Sequence, residues 1–226
     1  MKFGVLGSGM VGRGIAAKLV ELGNDVMIGT RDVEALMAST ASDFMGNPPF
    51  PVWHLQNSGV KVGSFAEAAV HGEVLFNATN GSGSLPALNQ AGESNLKGKL
   101  LIDISNPLDF SQGMPPFMSI VNTDSLGEQI QRAYPDARVV KSLNTTTAAL
   151  MVNPGLLADS DHTIFVSGND DDAKAQATEI LKSFGWSDII DLGDITTARG
   201  TEMLVALWLR VLGVLQTPMF NFKVVR

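Results

Sequence analysis

Six residues, Gly7-Ser8-Gly9-Met10-Val11-Gly12, constrain this chain more than any others. They follow a short apolar run, Phe3-Gly4-Val5-Leu6, and open the stretch Met10 to Leu22, in which Ile15, Leu19 and Leu22 recur at helical spacing. That order predicts a strand, a glycine turn and a helix. Gly7 suits the tight turn, Gly9 leaves room for an anion to approach the backbone, and Gly12 lets the helix pack closely on the strand. The free N–H groups and the positive dipole end of that helix would face the anion. Glycine is common in this chain, at 23 residues, so the spacing alone says little; its position between a strand and an amphipathic helix says more.

The same rhythm continues. Val26 to Ile28, Val74 to Ala78, Leu100 to Ile104, Ala137 to Leu143 and Thr163 to Val166 read as strands, with a brief one at Val60 to Val62. Several are apolar on both faces, as strands covered by helices on both sides must be. Helical patterns lie between them. Asp32 suits the N-cap of a helix reaching about Ala41, and Ser64 with Glu67 forms a capping box for Phe65 to Val70. Asp124 to Ala133 and Asp170 to Phe184 follow, with Asp170-Asp171-Asp172 at the positive end of the helix dipole. Gly46 to Pro51 reads as a Pro-rich loop, Trp53 to Ser58 has no clear period, and Ser82 and Ser84 fall in a Gly-Ser loop. These elements predict an α/β chain with a Rossmann-like, doubly wound, mostly parallel sheet. Residues 1–142 form its nucleotide-binding domain, and 143–226 add a small C-terminal α/β-helical extension that completes an acceptor site.

Composition removes several function classes. Sixteen basic against 23 acidic residues give a net charge of −7, which lacks the basic footprint of a nucleic-acid binder. There is no cysteine, so disulfides, thiolate metal sites and cysteine nucleophiles are out, and His54, His71 and His162 are too scattered for a metal site. The G-x-S-x-G elbow of serine hydrolases is missing around Ser82 and Ser84. The N-terminal residues lack a signal-peptide pattern, and Met203 to Leu215, interrupted by Arg210, falls short of the ~18 residues of a membrane span. The expected location is the cytoplasm, with no membrane partner. Thr201 to Phe220 reads as a helix apolar almost all round, which must be buried on its own sheet or against a second copy; a homodimer is expected.

The end of the second strand bears on the ligand. Asp25-Val26-Met27-Ile28-Gly29 leads into Thr30-Arg31, where NAD-binding chains place a carboxylate for the ribose hydroxyls. A hydroxyl and a guanidinium bind a 2′-phosphate instead, which favours NADP. Asp32 is the remaining candidate carboxylate, but it suits the helix cap better.

Gly7 to Gly12, Gly29-Thr30-Arg31-Asp32, Ile102-Asp103-Ile104-Ser105-Asn106-Pro107 and Val139 to Thr145 together resemble the coenzyme F420-dependent NADP oxidoreductase family. They are also similar to the NADPH-binding domain of the STEAP metalloreductases. The likeness extends to Asp191-Leu192-Gly193, Arg199 and Glu202. It implies an NADP(H)-dependent oxidoreductase that moves a hydride between NADP(H) and a small-molecule acceptor, a flavin or a deazaflavin such as F420. It also implies that Thr30 and Arg31 hold the 2′-phosphate, and that Asn77, Ala78, Thr79, Ser105, Asn106, Ser142 and Asn144 flank the nicotinamide. Archaeal members often carry a second basic residue one turn later, where Ala35 stands, and a proline and an aromatic where this chain reads Asn77 to Gly83. Hydride transfer between two planar rings needs close stacking more than a positioned acid, so no catalytic side chain is assigned. Asp103, an acid in an apolar strand, is expected to be satisfied by loop N–H groups. The alternatives are a non-catalytic NADP sensor and a reductase of a small imine or carbonyl compound. The β-hydroxyacid dehydrogenases and pyrroline-5-carboxylate reductases share the first strand–turn–helix but append a large helical domain, for which the chain after Ser142 is expected to be too short.

Overall fold

The first strand lies inside an eight-stranded sheet in a computed structural model that describes residues 1–43 and 46–226. Along the chain come β1 (Lys2–Leu6), α1 (Met10–Glu21), β2 (Asp25–Thr30), α2 (Val33–Met37), α3 (Phe50–Gln56), β3 (Val60–Ser64), α4 (Phe65–His71), β4 (Val74–Asn77), α5 (Gly81–Ala91), α6 (Glu93–Leu96) and β5 (Leu100–Asp103). A hairpin of β6 (Leu108–Asp109) and β7 (Phe117–Met118) comes next. Then come α7 (Leu126–Ala133), β8 (Arg138–Ser142), α8 (Ala148–Val152), β9 (Thr163–Gly168), α9 (Asp171–Ser183), β10 (Asp188–Asp191) and α10 (Ala198–Leu215).

The sheet order is β10-β9-β8-β5-β4-β1-β2-β3, parallel throughout except that β8 and β9 run antiparallel. From β1 the chain winds outward to β2 and β3, then returns to β4 and winds the other way. The connections after β1 and β4 therefore leave the sheet on opposite faces and open a crevice at the carboxyl ends of these two strands. Register brings Leu6 beside Asn77 at this point. Residues 143–226 contribute β9 and β10 to the same sheet and α8, α9 and α10 around it.

Both faces are covered. One apolar cluster joins β1, β2, β4 and β5 to α1 and α9 through Val5, Ile28, Phe76, Ile102, Ile15 and Leu181. The other joins Leu6, Leu75 and Leu101 to Ala68 of α4, Leu88 of α5 and Ile130 of α7. This explains why Leu100-Leu101-Ile102 is apolar without alternation: successive side chains enter opposite cores, each burial contributing roughly 1.5–3 kcal/mol.

Local signals and structure agree at several helix starts. Ser64 and Glu67 form the reciprocal capping box, and Asp170 accepts a bond from Ala173 N at the start of α9. Asp32 caps α2 by accepting from Ala35 N, although α2 ends at Met37, short of Ala41. The Gly-Ser stretch departs from expectation: Ser82 and Ser84 lie in α5, whose cap is Asn80 accepting from Gly83 N at 2.7 Å. Glycine and serine are weak helix formers, but burial of Ala87, Leu88 and Ala91 holds this helix. Phe50–Gln56, read as loop and aperiodic chain, forms α3 around the buried Phe50.

The last helix also differs. It runs Ala198–Leu215 rather than Thr201 to Phe220, and only its first half, through Val205, is buried. The tail folds back, with Phe220 stacked on Trp208 at 5.0 Å and Phe222 O accepting from Thr163 N. Leu207 and Val214 nevertheless remain 52% and 81% exposed. Among the described residues no helix is long and apolar enough to cross a membrane.

Candidate functional site

The crevice between β1 and β4 is built by the glycine turn. Gly7 has φ +120°, and a Cβ there would stand 2.6 Å from Ala78 O, so the turn also touches the β4 connection. A Cβ on Gly12 would overlap the Gly7 carbonyl, which is how closely α1 presses on the turn. A Cβ on Gly9 would meet nothing within 4 Å. Gly9 is also the N-cap of α1, with no side-chain cap, so the first-turn N–H groups around Met10 and Val11 lack the usual internal acceptor. An anionic ligand fits that arrangement.

A cleft of about 550 Å³ opens here. Of the residues expected to bind a cofactor, Gly7, Ser8, Gly9, Thr30, Arg31, Ala78 and Thr79 line it. Met10 and Val11 lie in the first turn of α1, and Gly12 is buried beneath the turn. Sequence reasoning missed Phe65, Asn80, Ser82, Gly83, Pro86 and Ala87, which also line it. An Asn followed three residues later by a glycine N–H donor, directly after a strand, is an N-cap pattern that would have found α5.

Arg31 is exposed at the rim, and no hydrogen bond or ion pair among the described residues engages its guanidinium. Asp32 beside it is occupied as the α2 cap. The end of β2 thus offers the cleft an exposed cation that no described residue engages, with the Thr30 hydroxyl, while the neighbouring carboxylate is tied to its own helix.

The remaining expected residues sit deeper, at the ends of β4, β5 and β8. Asn77 is fully buried; its amide donates to Asp103 Oδ1 at 2.8 Å and to Ser84 Oγ, and its carbonyl accepts from Thr79 Oγ1 at 2.7 Å. Ser105 donates from both N and Oγ to Asp103 Oδ1. Asn106 and Asn144 bond each other: Asn106 Nδ2 donates to Asn144 O, and Asn144 Nδ2 donates to Asn106 Oδ1. Ser142 is turned the other way, donating to Phe165 O of β9. One loop N–H, that of Ser105, does bond Asp103, but the Ser105 hydroxyl, the Asn77 amide and a partner that sequence reasoning missed share the carboxylate with it. Lys141, fully buried on β8, lies 2.8 Å from Asp103 Oδ2 and 2.8 Å from Glu202 Oε1. Burial works to lower the Lys141 pKa, but the two carboxylates outweigh it and raise it, so the ammonium stays charged. Glu202 also accepts from Leu126 N and Gly127 N at the start of α7. Arg199, one turn before, grips Glu128 with two bonds at 2.8 and 2.6 Å, and the guanidinium holds that carboxyl below its usual range. No group of three or more His, Asp or Glu among the described residues is arranged to hold a metal ion.

Residues 2–107 match the family model for NADP oxidoreductase, coenzyme F420-dependent. The crystal structure of a candidate F420-dependent NADP reductase from Arthrobacter sp. FB24 is 54% identical, covers both chains completely and superposes with a TM-score of 0.95. The F420-dependent NADP reductase of Methanothermobacter marburgensis is 28% identical over 211 residues, 92% of this chain and 90% of that one. Metalloreductase STEAP3 of Rattus norvegicus is 28% identical over 204 residues, but this chain spans only 36% of its length.

Proposed function

The chain belongs to the coenzyme F420-dependent NADP oxidoreductase family, and for this NADP-dependent oxidoreductase we propose hydride transfer between NADP(H) and a flavin or deazaflavin acceptor of the F420 kind. One observation carries the cofactor half of that reading: the exposed Arg31 beside Thr30, whose guanidinium no described residue engages, at the rim of a cleft that is open at Gly9. When bound, NADPH supplies the hydride from its nicotinamide ring. The chain's own residues do the positioning. The α1 N-terminus takes the pyrophosphate, Thr30 and Arg31 take the 2′-phosphate, and Phe65 with Pro86 and Ala87 offers an apolar wall to the adenine. The ends of β4, β5 and β8 then form the nicotinamide end, where Asp103 holds Asn77 and Ser105, and Asn106 and Asn144 hold each other.

Support for the acceptor half comes from the β6–β7 hairpin, which begins two residues after Asn106. Only four residues past Asn106 the β6–β7 hairpin exposes Phe110, and farther on Met114, giving a second planar ring something to lie against. The protein works in the cytoplasm as a homodimer. The test is NADPH oxidation monitored by absorbance with F420, FMN, FAD and ferric chelates in turn. Turnover with F420 or a flavin supports the proposal; tight NADPH binding with no turnover on any acceptor replaces it with a sensor.

A further inference from the structure

Three ionisable side chains lie wholly inside the protein: Asp103 on β5, Lys141 on β8 and Glu202 on α10. Such a cluster is weak support for stability, because desolvating each charge cancels much of the attraction. What it does supply is geometry. Lys141 Nζ reaches Asp103 Oδ2, Glu202 Oε1 and the carbonyl oxygen of Ser105 at once. The other oxygen of Asp103 collects Ser105 N, Ser105 Oγ and Asn77 Nδ2, and Asn77 in turn holds Thr79. One ammonium therefore sits at the root of both connections, 77–79 and 103–106, that leave the sheet at the inner end of the cleft. The far anchor is also fixed, since Glu202 takes two backbone N–H groups of α7. None of these three side chains lines the cleft itself.

We propose that Lys141 is a positioning residue: through Asp103 and Ser105 it presets the two loops that receive the nicotinamide half of the dinucleotide, leaving the adenine half to Thr30 and Arg31. The inference rests on the NADP reading above. Preset loops add affinity only for a ligand long enough to reach them.

That distinction gives the test. Adenosine 2′,5′-bisphosphate carries the adenine, ribose and 2′-phosphate but no nicotinamide. The triple variant Asp103→Asn/Lys141→Met/Glu202→Gln removes all three charges together and keeps side-chain size, so no buried charge is left unpaired. By calorimetric titration it should bind NADPH about tenfold more weakly than the wild type and bind the bisphosphate within about twofold. A merely structural role would move both ligands or neither. A folded variant that binds NADPH as tightly as the wild type overturns the proposal while leaving the NADP reading intact. Wild-type protein that binds neither ligand overturns that reading, and this inference with it. Should the variant fail to fold, hydrogen exchange on the unaltered protein decides. Residues 103–106 should be as protected without ligand as β5 itself, and rapid exchange there overturns the presetting.

Discussion

At positions 9 and 12 one residue type answers to two different constraints, and substitution by alanine separates them. Gly9 has φ −74° and ψ −175°, a backbone open to any residue, and its missing Cβ faces open space. Gly9→Ala should change thermal stability by no more than about 1 kcal/mol, because the stiffer unfolded chain is offset by alanine's poor fit at an N-cap, while a methyl in the pyrophosphate path weakens NADPH binding. Gly12→Ala instead drives a methyl into the Gly7 carbonyl and should cost about 1–3 kcal/mol of stability together with binding. Thermal denaturation paired with NADPH titration reads both; a Gly9→Ala protein that binds normally would remove the turn from the site. Arg31 makes a third case. Arg31→Ala should weaken NADPH by about 1.5–3 kcal/mol and leave NADH unchanged, and equal loss for both would sink the 2′-phosphate assignment. Arg31 and Gly9 were legible in the sequence because their roles depend on neighbours a few residues away. Lys141 was not: its partners Asp103 and Glu202 come from distant parts of the chain, and nothing local marks a lysine in an apolar strand as paired.

Among the elements, the strands were legible because their apolar runs are too short for buried helices and are bounded by turn residues, whereas α5 was hidden by its own first turn. Gly81-Ser82-Gly83-Ser84 carries little helix propensity, and only the cap at Asn80 and the buried face beyond it make the segment helical. Four-residue β10 was missed for a related reason: Asp188-Ile189-Ile190-Asp191 becomes a strand only by lying along β9. The entry to α7 shows how charge acts on a single element. Ser125 caps the helix through Glu128 N, and Asp124 before it takes two bonds from Arg132 and one from Gln129. Arg132 above all, with help from Gln129, lowers the Asp124 pKa to about 2 against partial burial. A depressed carboxylate contributes stability that is present above its unfolded value near 3.8 and lost as pH falls toward 2. The pair faces solvent, so the contribution is at most about 1 kcal/mol. Arg132→Ala should therefore lower stability by about that much near pH 6 and by steadily less as pH falls through 2, measured by urea denaturation across that range. A difference that persists at the acid end would show that Arg132 acts by packing.

At the scale of the whole molecule, an acidic protein of net charge −7 has one long surface that carries almost no charge. From Met203 to Leu215 the only charged side chain of α10 is Arg210, and Met203, Leu207, Val214 and Leu215 are exposed on it. The returning tail covers Trp208 through Phe220 but leaves these residues open. Two copies meeting along α10 would bury apolar surface that a monomer rarely keeps in water. A helix of 18 residues is about 27 Å long, which alone falls short of the ~800 Å² per partner that a stable interface buries. The β6–β7 hairpin packs beside α10 and adds the exposed Phe117, extending the same face. A two-fold contact, α10 against α10 with the hairpins flanking it, is thus the arrangement we expect. Light scattering should give about twice the 24.0 kDa chain mass, and Leu207→Asp, which sets a carboxylate on the face without touching the cleft, should give the single mass with NADPH affinity unchanged. Wild-type protein that stays monomeric at micromolar concentration would mean that this face serves another purpose.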